Sequence, residues 1–386
     1  MKRALVISLG AIDFDQRVQR QCRWLSAEYE VTLFAYGTSP PGLVSEFIRL
    51  DPARQSALRR FIRLFRLILG DSLGFYFDSS SVKQALRVAR GKTWDLIVAD
   101  DIDAGPLALR IAQGAPVVFD AHEYSPDELA QSITWKLLYR SYKTALCHHV
   151  IPRVSSFLTV SRGLAELYEQ NFGRRPLVME NIPEVTAPLP VPVASADVHS
   201  PVWRLVHHGI GHPARKLELL IDALALLGPE YTLDLILVVN DSNYVESLIR
   251  RAGGNPRIRF LPPIPPQELV SRLAEYDLGI IFLPPLNLSL GNALPNKFFE
   301  YLHSGVPVIA GPIPEIASAV GTWDCGVIAQ SFEAQELALV LKGIRRERWS
   351  IWRQNVRKAA QHFSADSTRA IFLSEIRRLP QSLSLA

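Results

Sequence analysis

The sequence lacks any long uninterrupted hydrophobic run. No stretch reaches the roughly 18 to 20 apolar residues that a membrane-spanning helix needs. Near the start, Lys2 and Arg3 are followed by a strand-like run that is broken at Gly10 and Asp13, so no apolar core of a signal peptide forms. We therefore expect neither a membrane span nor a secretory leader.

Cysteine and net charge are also scarce. Cys22, Cys147 and Cys325 are the three cysteines in 386 residues and form no CxxC pair, which suits a reducing cytoplasm and excludes a disulfide scaffold. The formal net charge of +4 is too small to predict a nucleic-acid partner. Nine of the 42 basic residues are lysine. This bias toward arginine suits phosphate binding, but genome composition explains it equally well.

What the sequence does contain is a repeated alternation of short apolar strands and amphipathic helices. It occurs on both sides of a proline-rich stretch without periodicity. Repeated strand–helix units predict parallel sheets with helices on both faces, so we expect the α/β class with two Rossmann-like, doubly wound domains. We predict a first domain at 1–185, a linker at 186–201, a second domain at 202–348 and C-terminal helices at 349–386.

One segment predicts a binding site. In "LPNKFFEYLHSGVPVIAG", a helix that begins near Pro295 ends at Gly305 and leads directly into a buried strand. The N-terminus of such a helix attracts anions, and Lys297 adds a cation to its first turn. Glu300, one turn further on, can accept hydrogen bonds from hydroxyl groups. The pattern indicates a polyanionic ligand that carries hydroxyls.

Several segments together carry a family resemblance. They are "VFDAHEYSPD", "FLTVSRGLAELY", "VMENIP", "VHHGIGHPARKLELLIDAL" and "NKFFEYLHSGVPVIAGPIPEI". With two Rossmann-like halves and a proline-rich hinge, the chain resembles the GT-B glycosyltransferases, and most closely their large retaining family four. The resemblance implies two domains that face each other across a cleft. It also implies a last helix that returns to the first domain, where the apolar Ile371, Phe372 and Ile376 would dock.

The resemblance further implies how the second domain binds a nucleotide-sugar donor. Glu300 matches the second glutamate of the family's Glu-x7-Glu motif, which binds the ribose hydroxyls. Eight residues earlier stands Asn292 in place of the first glutamate, so the identity of the donor sugar is open. Arg215 matches the basic residue that pairs with the diphosphate.

Other donor-side residues follow from the same motifs. Ile210 stands where the family has a second arginine, and Lys297 or Lys216 could supply the missing charge. Gly209 allows close approach of the backbone to phosphate. Asn296, beside Lys297 in the first helical turn, completes the expected donor-binding set.

His122 and Asp13 are the expected catalytic residues. His122 follows a strand at the C-terminal edge of the first sheet, and in the family the matching histidine lies beside the donor sugar. The alternative is a histidine that only bonds loop backbone. Asp13 lies in the loop after the first strand, which would open toward the acceptor.

Two acidic strings invite a different interpretation. Asp13-Phe14-Asp15 and Asp101-Ile102-Asp103 fit the DxD pattern by which GT-A glycosyltransferases bind a metal. Both strings lie at strand-to-helix turns, where aspartate often caps the following helix. We favour caps and predict no metal, because cationic side chains and helix N–H groups can stabilise a diphosphate leaving group.

The segment from Arg54 to Gly70 predicts a basic amphipathic helix. Its apolar stripe consists of Leu58, Phe61, Ile62, Phe65, Ile68 and Leu69. Four arginines lie largely off that stripe: Arg59, Arg60, Arg63 and Arg66. Such a helix could lie on an anionic membrane and approach a lipid-linked acceptor. It could equally be a structural helix whose stripe packs in the core.

The sequence thus predicts a cytoplasmic retaining glycosyltransferase that is peripheral on the inner face of the plasma membrane if the basic helix binds lipid. Its expected pathway is bacterial cell-surface polysaccharide, glycolipid or glycoconjugate synthesis. No cofactor is expected, because a UDP- or GDP-type sugar is the substrate. A sugar-nucleotide 2-epimerase and a non-catalytic nucleotide-sugar binder remain open alternatives.

Overall fold

The computed structural model describes residues 1–13, 15–51, 57–128, 133–184 and 202–380, and the predicted linker at 186–201 lies outside them. The chain divides into two compact units. The first contains Met1–Asn181, Asn287–Ser289 and the residues from Thr368, and the second contains Ile182–Leu286 and Leu290–Ser367.

The first unit is built on a parallel sheet of seven strands in the order β3-β2-β1-β4-β5-β6-β7. The strands are β1 (Lys2–Ala11), β2 (Tyr29–Tyr36), β3 (Glu46–Arg49), β4 (Leu96–Asp100), β5 (Val117–Ala121), β6 (Ser156–Thr159) and β7 (Leu177–Val178). Its helices are α1 (Gln16–Leu25), α2 (Ala57–Ile68), α3 (Ser72–Phe77), α4 (Ser80–Ala89), α5 (Asp101–Ile111), α6 (Ile133–Val150) and α7 (Arg162–Phe172). Strands β4 and β5 are buried along their whole length, as their unbroken apolar runs predict.

The second unit repeats this plan with six parallel strands in the order β10-β9-β8-β11-β12-β13. The strands are β8 (Trp203–Gly211), β9 (Tyr231–Val239), β10 (Ile258–Leu261), β11 (Leu278–Ile281), β12 (Val308–Ala310) and β13 (Gly326–Ile328). The helices are α8 (Glu218–Ala225), α9 (Ser242–Ala252), α10 (Pro266–Leu273), α11 (Leu288–Gly291), α12 (Asn296–His303), α13 (Pro314–Trp323), α14 (Ala334–Gly343) and α15 (Arg346–His362). Hence the predicted fold class, two doubly wound Rossmann-like units, is confirmed.

Strand order fixes where each sheet can bind a ligand. In both sheets the order reverses direction beside the first strand, between β1 and β4 in one unit and between β8 and β11 in the other. Open α/β sheets bind ligands beyond the C-terminal ends of the strands at such switch points. A ligand is therefore expected at the loops that follow these four strands.

The final helix, α16 (Ala365–Arg378), contributes to the first unit. Phe372, Leu373 and Ile376 are buried in one apolar cluster with Val18 and Leu25 of α1. Most of α16 thus belongs to the first unit, whereas α15, which lies in the same predicted C-terminal segment, belongs to the second. The expected docking residue Ile371 is only partly buried.

Candidate active site

The switch point of the second sheet is held together by a buried histidine. The ring Nδ1 of His207, in β8, lies 2.9 Å from the carbonyl oxygen of Ile280 in β11. Beyond this bond β8 continues to Gly209 and Gly211, while α12 presents Lys297 and Glu300 from its first two turns. The two motifs that the sequence analysis singled out therefore meet at one sheet edge.

Gly209 is required at this edge. Its φ of +141° is rarely adopted by other residues, and a Cβ there would lie 3.0 Å from Nζ of Lys297. The lysine thus crosses directly over the glycine backbone. Burial lowers the pKa of Lys297 to about 7, and the positive charge of Arg215 acts in the same direction. A bound anion would restore the charge on Lys297.

Glu300 lies beside a second histidine. One carboxylate oxygen, Oε2, is 3.4 Å from Nε2 of His208. Burial raises the pKa of Glu300 to about 7, against the opposing effect of Lys297. Among the residues that the structure describes, no side chain or backbone N–H donates a hydrogen bond to this carboxylate. The carboxylate is therefore available to accept bonds from ligand hydroxyls.

The remaining predicted donor-side residues surround this pair less closely. Arg215 ends a short 3-10 turn after β8 and is near enough to affect the pKa of both Lys297 and His207. Lys216 is 53% exposed and forms a 3.8 Å ion pair with Glu218. Asn296 is exposed at the start of α12, and Asn292 is half-buried just after α11. The structure thus groups Arg215 with Lys297 but leaves Lys216 at the surface.

In the first unit, three carboxylates surround the imidazole of His122. Its Nε2 lies 3.3 Å from Asp100 and 3.4 Å from Asp120, and its Nδ1 lies 3.4 Å from Asp101. Burial alone would lower the pKa of His122, but the three carboxylates raise it well above the usual value. The ring is therefore held as a cation. No ring contact to loop backbone occurs in the described part of the chain.

Asp120 is fixed from the other side by Arg17. The guanidinium of Arg17 donates bonds of 2.7 and 2.9 Å to its two carboxylate oxygens, and Gln21 donates a third of 2.5 Å. Despite burial, Arg17 and His122 hold the pKa of Asp120 below its ordinary range.

Asp100 is 2% exposed, and neither of its oxygens has a hydrogen-bond partner in the described structure. Burial raises the pKa of Asp100 to about 7, although His122 opposes the shift.

Asp100, Asp120 and His122 could in principle hold a metal, since one ligand atom of each lies within 4.8 Å of the others. However, Arg17 and Gln21 already occupy the oxygens of Asp120. A metal at that carboxylate would also lie close to the guanidinium charge of Arg17. The geometry therefore favours an imidazolium at this position over a metal ion.

A small polar cavity of about 190 Å³ opens beside His122. It is lined by Asp101, Ile102, Asp103, His122, Glu123, Ser125, Glu128 and Lys143. Lys143 closes one side through contacts of 2.6 Å to Asp103 and 3.2 Å to Glu128. The lining therefore contains four carboxylates and two cations, the paired Lys143 and His122.

The acidic strings have mixed roles. Asp15 caps α1 by accepting from the backbone N–H of Val18 at 3.1 Å, as predicted. Asp13 instead accepts from Thr38 N–H at 2.9 Å.

The predicted caps at Asp101 and Asp103 are wrong, because Asp101 accepts from the N–H of His122 and Asp103 from Lys143. Asp101 also has a φ of +59°, the kind of local strain that is often found at functional sites.

The basic amphipathic helix predicted within Arg54–Gly70 is α2, and its stripe is not in the core. Phe61, Ile68 and Leu69 are 68%, 63% and 67% exposed, and Ile62 and Phe65 are exposed as well. Among the residues of this helix whose side chains are described, Leu67, outside the predicted stripe, joins the apolar core of the first unit. The interpretation as a core-packed stripe is therefore wrong for these five residues.

The arginines of α2 are described only in part. Arg63 lies over the ring of Phe75 at 4.4 Å, and Arg66 forms a 3.7 Å ion pair with Asp71. The side chains of Arg59, Arg60 and Leu58 and the whole of Arg54 lie outside the described structure. None of the described helices is long and apolar enough to cross a membrane.

Sequence reasoning missed most of the groups that surround His122 and Glu300. Arg17, Asp100 and His208 come from separate elements. Asp101 was interpreted only as a helix cap, and Asp120 is the acid two residues before His122. Side chains alternate along β5, which ends at Ala121. If that alternation continues for one residue, Asp120 and His122 lie on the same face, which could have identified Asp120 as a partner.

Comparison with known proteins gives the family of the chain. A model described as "Glycosyl transferase 4-like domain" matches residues 15–183, and one described as "Glycosyl transferases group 1" matches residues 204–344. The chain is 35% identical over 96 residues to D-inositol 3-phosphate glycosyltransferase of Corynebacterium aurimucosum. That match spans 25% of this chain and only 21% of that protein.

Solved structures show the same fold at low identity. Sucrose-phosphate synthase from Thermosynechococcus elongatus has a TM-score of 0.71 at 15% identity, covering 98% of this chain and 99% of that one. Anabaena HepE in complex with UDP-glucose has a TM-score of 0.72 at 16% identity, covering 98% of this chain and 100% of that one. Because the two family models together cover most of the chain and the fold is that of these enzymes, the protein belongs to the GT-B glycosyltransferases with a group 1 domain.

Proposed function

We propose that this glycosyltransferase moves a sugar from a nucleotide-diphosphate donor of UDP or GDP type to a hydroxyl acceptor, with retention of the anomeric configuration. The observation that carries the donor assignment is the meeting of Gly209, Lys297 and Glu300 at the switch point of the second sheet. The UDP-glucose complex of HepE supports a donor of this class. We place the enzyme in bacterial polysaccharide, glycolipid or glycoconjugate synthesis.

The donor-side roles follow from charge and geometry. Glu300 accepts hydrogen bonds from the ribose hydroxyls, while Lys297 and Arg215 bind the diphosphate. Since Gly209 has no side chain, a phosphate oxygen can approach its backbone together with the Lys297 ammonium. Asn292 and Asn296 contribute uncharged contacts to the donor, and Lys216 adds a more distant positive charge.

The chemistry requires no covalent enzyme intermediate. The bond between the anomeric carbon and the diphosphate oxygen breaks, and the acceptor oxygen bonds to that carbon on the same face. The acceptor proton passes to the departing phosphate oxygen. His122, held as a cation, acts beside the transferred sugar, and Asp13 acts on the acceptor side. These groups supply positioning and electrostatic stabilisation.

The cavity beside His122 indicates the kind of acceptor. Its four carboxylates, those of Asp101, Asp103, Glu123 and Glu128, outnumber its two cations, His122 and Lys143. A phosphate would be repelled there, whereas sugar hydroxyls can donate to the carboxylates. We therefore favour a neutral polyhydroxyl group as the part of the acceptor nearest His122.

We expect transfer to proceed without a divalent metal. The physical reason is that cationic side chains stabilise the diphosphate, while Arg17 already occupies the carboxylate that a metal would need. Turnover should be unchanged, within about twofold, after treatment with EDTA. If EDTA abolished transfer and magnesium or manganese restored it, the metal-independent assignment would be wrong.

Donor binding should depend on pH with a maximum near pH 7. Lys297, whose pKa is about 7, is charged below that pH and neutral above it, so affinity for the diphosphate should fall as pH rises. Glu300, with a pKa also about 7, loses its carboxylate charge as pH falls and then accepts hydroxyls less well. Calorimetric titration with UDP and GDP from pH 5.5 to 9 measures both limbs.

Two variants separate these limbs. Lys297→Arg keeps its charge at every pH tested and should abolish the alkaline decline. Glu300→Gln cannot ionise and should abolish the acid decline, at a cost of about 10-fold or more in affinity from the weaker hydrogen bonds. An unchanged pH profile in both variants, with parental affinity, would remove these residues from the donor site.

We further propose that α2 attaches the enzyme to the inner face of the plasma membrane. Phe61, Ile68 and Leu69 present an exposed apolar face on a helix that carries four arginines and no acid. Apolar side chains at the level of the acyl chains with arginines at the headgroups match an anionic bilayer surface. A lipid-linked acceptor would be available at that surface.

The membrane proposal is tested by charge reversal. The triple variant Arg59→Glu, Arg60→Glu and Arg63→Glu should lose most of its binding to vesicles containing anionic phospholipid, because six charge units change at the headgroup level. Co-sedimentation at low and moderate salt measures this binding.

A control variant makes the same charge change elsewhere, at Arg250, Arg272 and Arg369, which are exposed on other helices. This control has the same net charge as the α2 variant but should pellet like the parent. Equal pelleting of the parent, the α2 variant and the control would show that α2 does not bind lipid.

A further inference from the structure

The residue that precedes Gly209 has an unexplained polar atom. His208, the sixth residue of β8, is 8% exposed, and its ring packs edge-on against Tyr301 with centroids 5.2 Å apart. Its Nε2 has no hydrogen-bond partner in the described structure, although Oε2 of Glu300 lies only 3.4 Å away. A buried imidazole nitrogen that faces a carboxylate without bonding to it is unusual and calls for a partner.

The electrostatics indicate which nitrogen of the His208 ring carries the proton. Burial lowers the pKa of His208 to about 3, with Lys297 acting in the same direction, so the imidazole is neutral at physiological pH. A neutral ring has one N–H. If Nε2 lacked it, the nitrogen lone pair would face the lone pairs of Glu300. The tautomer with hydrogen on Nε2 is therefore favoured, which makes this atom a donor.

We infer that His208 and Glu300 together bind the vicinal hydroxyls of a ribose and select ribonucleotides over deoxyribonucleotides. A hydroxyl oxygen about 2.8 Å from both atoms accepts from Nε2–H of His208 and donates its own proton to Oε2 of Glu300. The other carboxylate oxygen, Oε1, remains for the adjacent hydroxyl. This inference rests on the proposed function, in which Glu300 binds the ribose, and adds His208 as a specificity-determining residue.

The arrangement explains why the histidine is neutral and rigid. A cation at position 208 would neutralise the carboxylate and form a direct ion pair with it, whereas a neutral donor leaves Glu300 free to accept. Tyr301 holds the ring plane, and its own hydroxyl is fixed by a 3.1 Å bond to the carbonyl of Val206 in the same strand. The Nε2–H is thus presented in a fixed direction.

The test compares nucleotides and variants in one calorimetric series at pH 7. The parent should bind UDP about 10-fold more tightly than 2′-deoxy-UDP or 3′-deoxy-UDP, whichever lacks the bridging hydroxyl. His208→Phe keeps an aromatic ring against Tyr301 but has no N–H. It should bind UDP about fivefold more weakly than the parent and should not weaken binding of that deoxynucleotide. His208→Gln can place an amide N–H near the same position and should recover part of the loss.

The outcomes separate this inference from the proposed function. If the parent binds UDP and both deoxynucleotides equally, the ribose contact is wrong while nucleotide binding stands. If His208→Phe weakens all three ligands to the same extent, the histidine is only structural and the inference is wrong. If the parent binds neither UDP nor GDP, the proposed donor site fails together with the inference.

Discussion

Replacing His122 with Asn should lower the rate of sugar transfer by about 100- to 1,000-fold, the effect that is typical of removing one preorganised electrostatic group. Asn can hydrogen-bond but cannot carry the positive charge that Asp100, Asp101 and Asp120 stabilise on the imidazole. UDP affinity should stay within about twofold, because the residues proposed to bind nucleotide all belong to the second unit. Turnover with labelled donor and calorimetry measure the two quantities.

The matched control is His148→Asn, an exposed histidine on α6 of the same unit. It should leave both transfer and nucleotide affinity unchanged. If His122→Asn transferred sugar at the parental rate, the cluster of His122 with its three carboxylates would only stabilise the fold. The catalytic assignment of His122 would then be wrong. A loss of nucleotide affinity equal to the loss of rate would argue against a role confined to transfer.

Replacing Phe372 with Ala should destabilise the first unit by about 3–5 kcal/mol. The ring is fully buried and lies 5.7 Å, centroid to centroid, from Trp24 of α1, so truncation leaves a cavity in that cluster. Denaturant unfolding followed by tryptophan fluorescence measures the change. Nucleotide binding should survive under conditions where the first unit has begun to unfold.

Arg369→Ala on the same helix is the comparison, because its side chain is exposed and its removal should cost less than about 0.5 kcal/mol. A similarly small effect of Phe372→Ala would mean that α16 does not contribute to the core of the first unit. Loss of nucleotide binding in step with unfolding of the first unit would contradict independent donor binding by the second.

The fold was predictable because its strands are buried on both faces. Runs such as Leu96–Ala99 and Val306–Ala310 have no polar residue to break them, and each is followed by a helical period. Short edge elements were missed. Strand β3 has a weak pattern, since its four residues are at most partly buried and periodicity reports burial. Helices α3 and α4 do bury residues, but they have only six and ten residues, which is short for a periodic pattern.

The candidate site was predictable only where its residues are local in sequence. Lys297 and Glu300 share one helix, so their proximity follows from helical geometry. The neighbours of His122 do not follow in this way. Arg17 reaches Asp120 from 103 residues away because β1, β4 and β5 are adjacent in the sheet, and strand order cannot be read from any single strand.

The exposure of α2 illustrates the same limit. An amphipathic stripe is the pattern both of a helix that packs on a core and of one that lies on a membrane. The sequence left these interpretations equal. The neighbouring helix α3 decides which residues of α2 face inward, and Arg63 of α2 lies over the ring of Phe75 in α3. Only the packing of these helices therefore shows that Leu67 is buried while the stripe is exposed.

The central claim, that the chain transfers sugar from a nucleotide donor to an acceptor, is tested most directly with UDP- and GDP-sugars labelled in the sugar. Each is incubated with the parent enzyme and with His122→Asn, with and without a bacterial membrane extract. We predict that the label enters extract material with the parent, in the anomeric configuration of the donor, and about 100- to 1,000-fold more slowly with His122→Asn. Label that stays in the donor, or a nucleotide sugar converted to its epimer without extract, would contradict the claim.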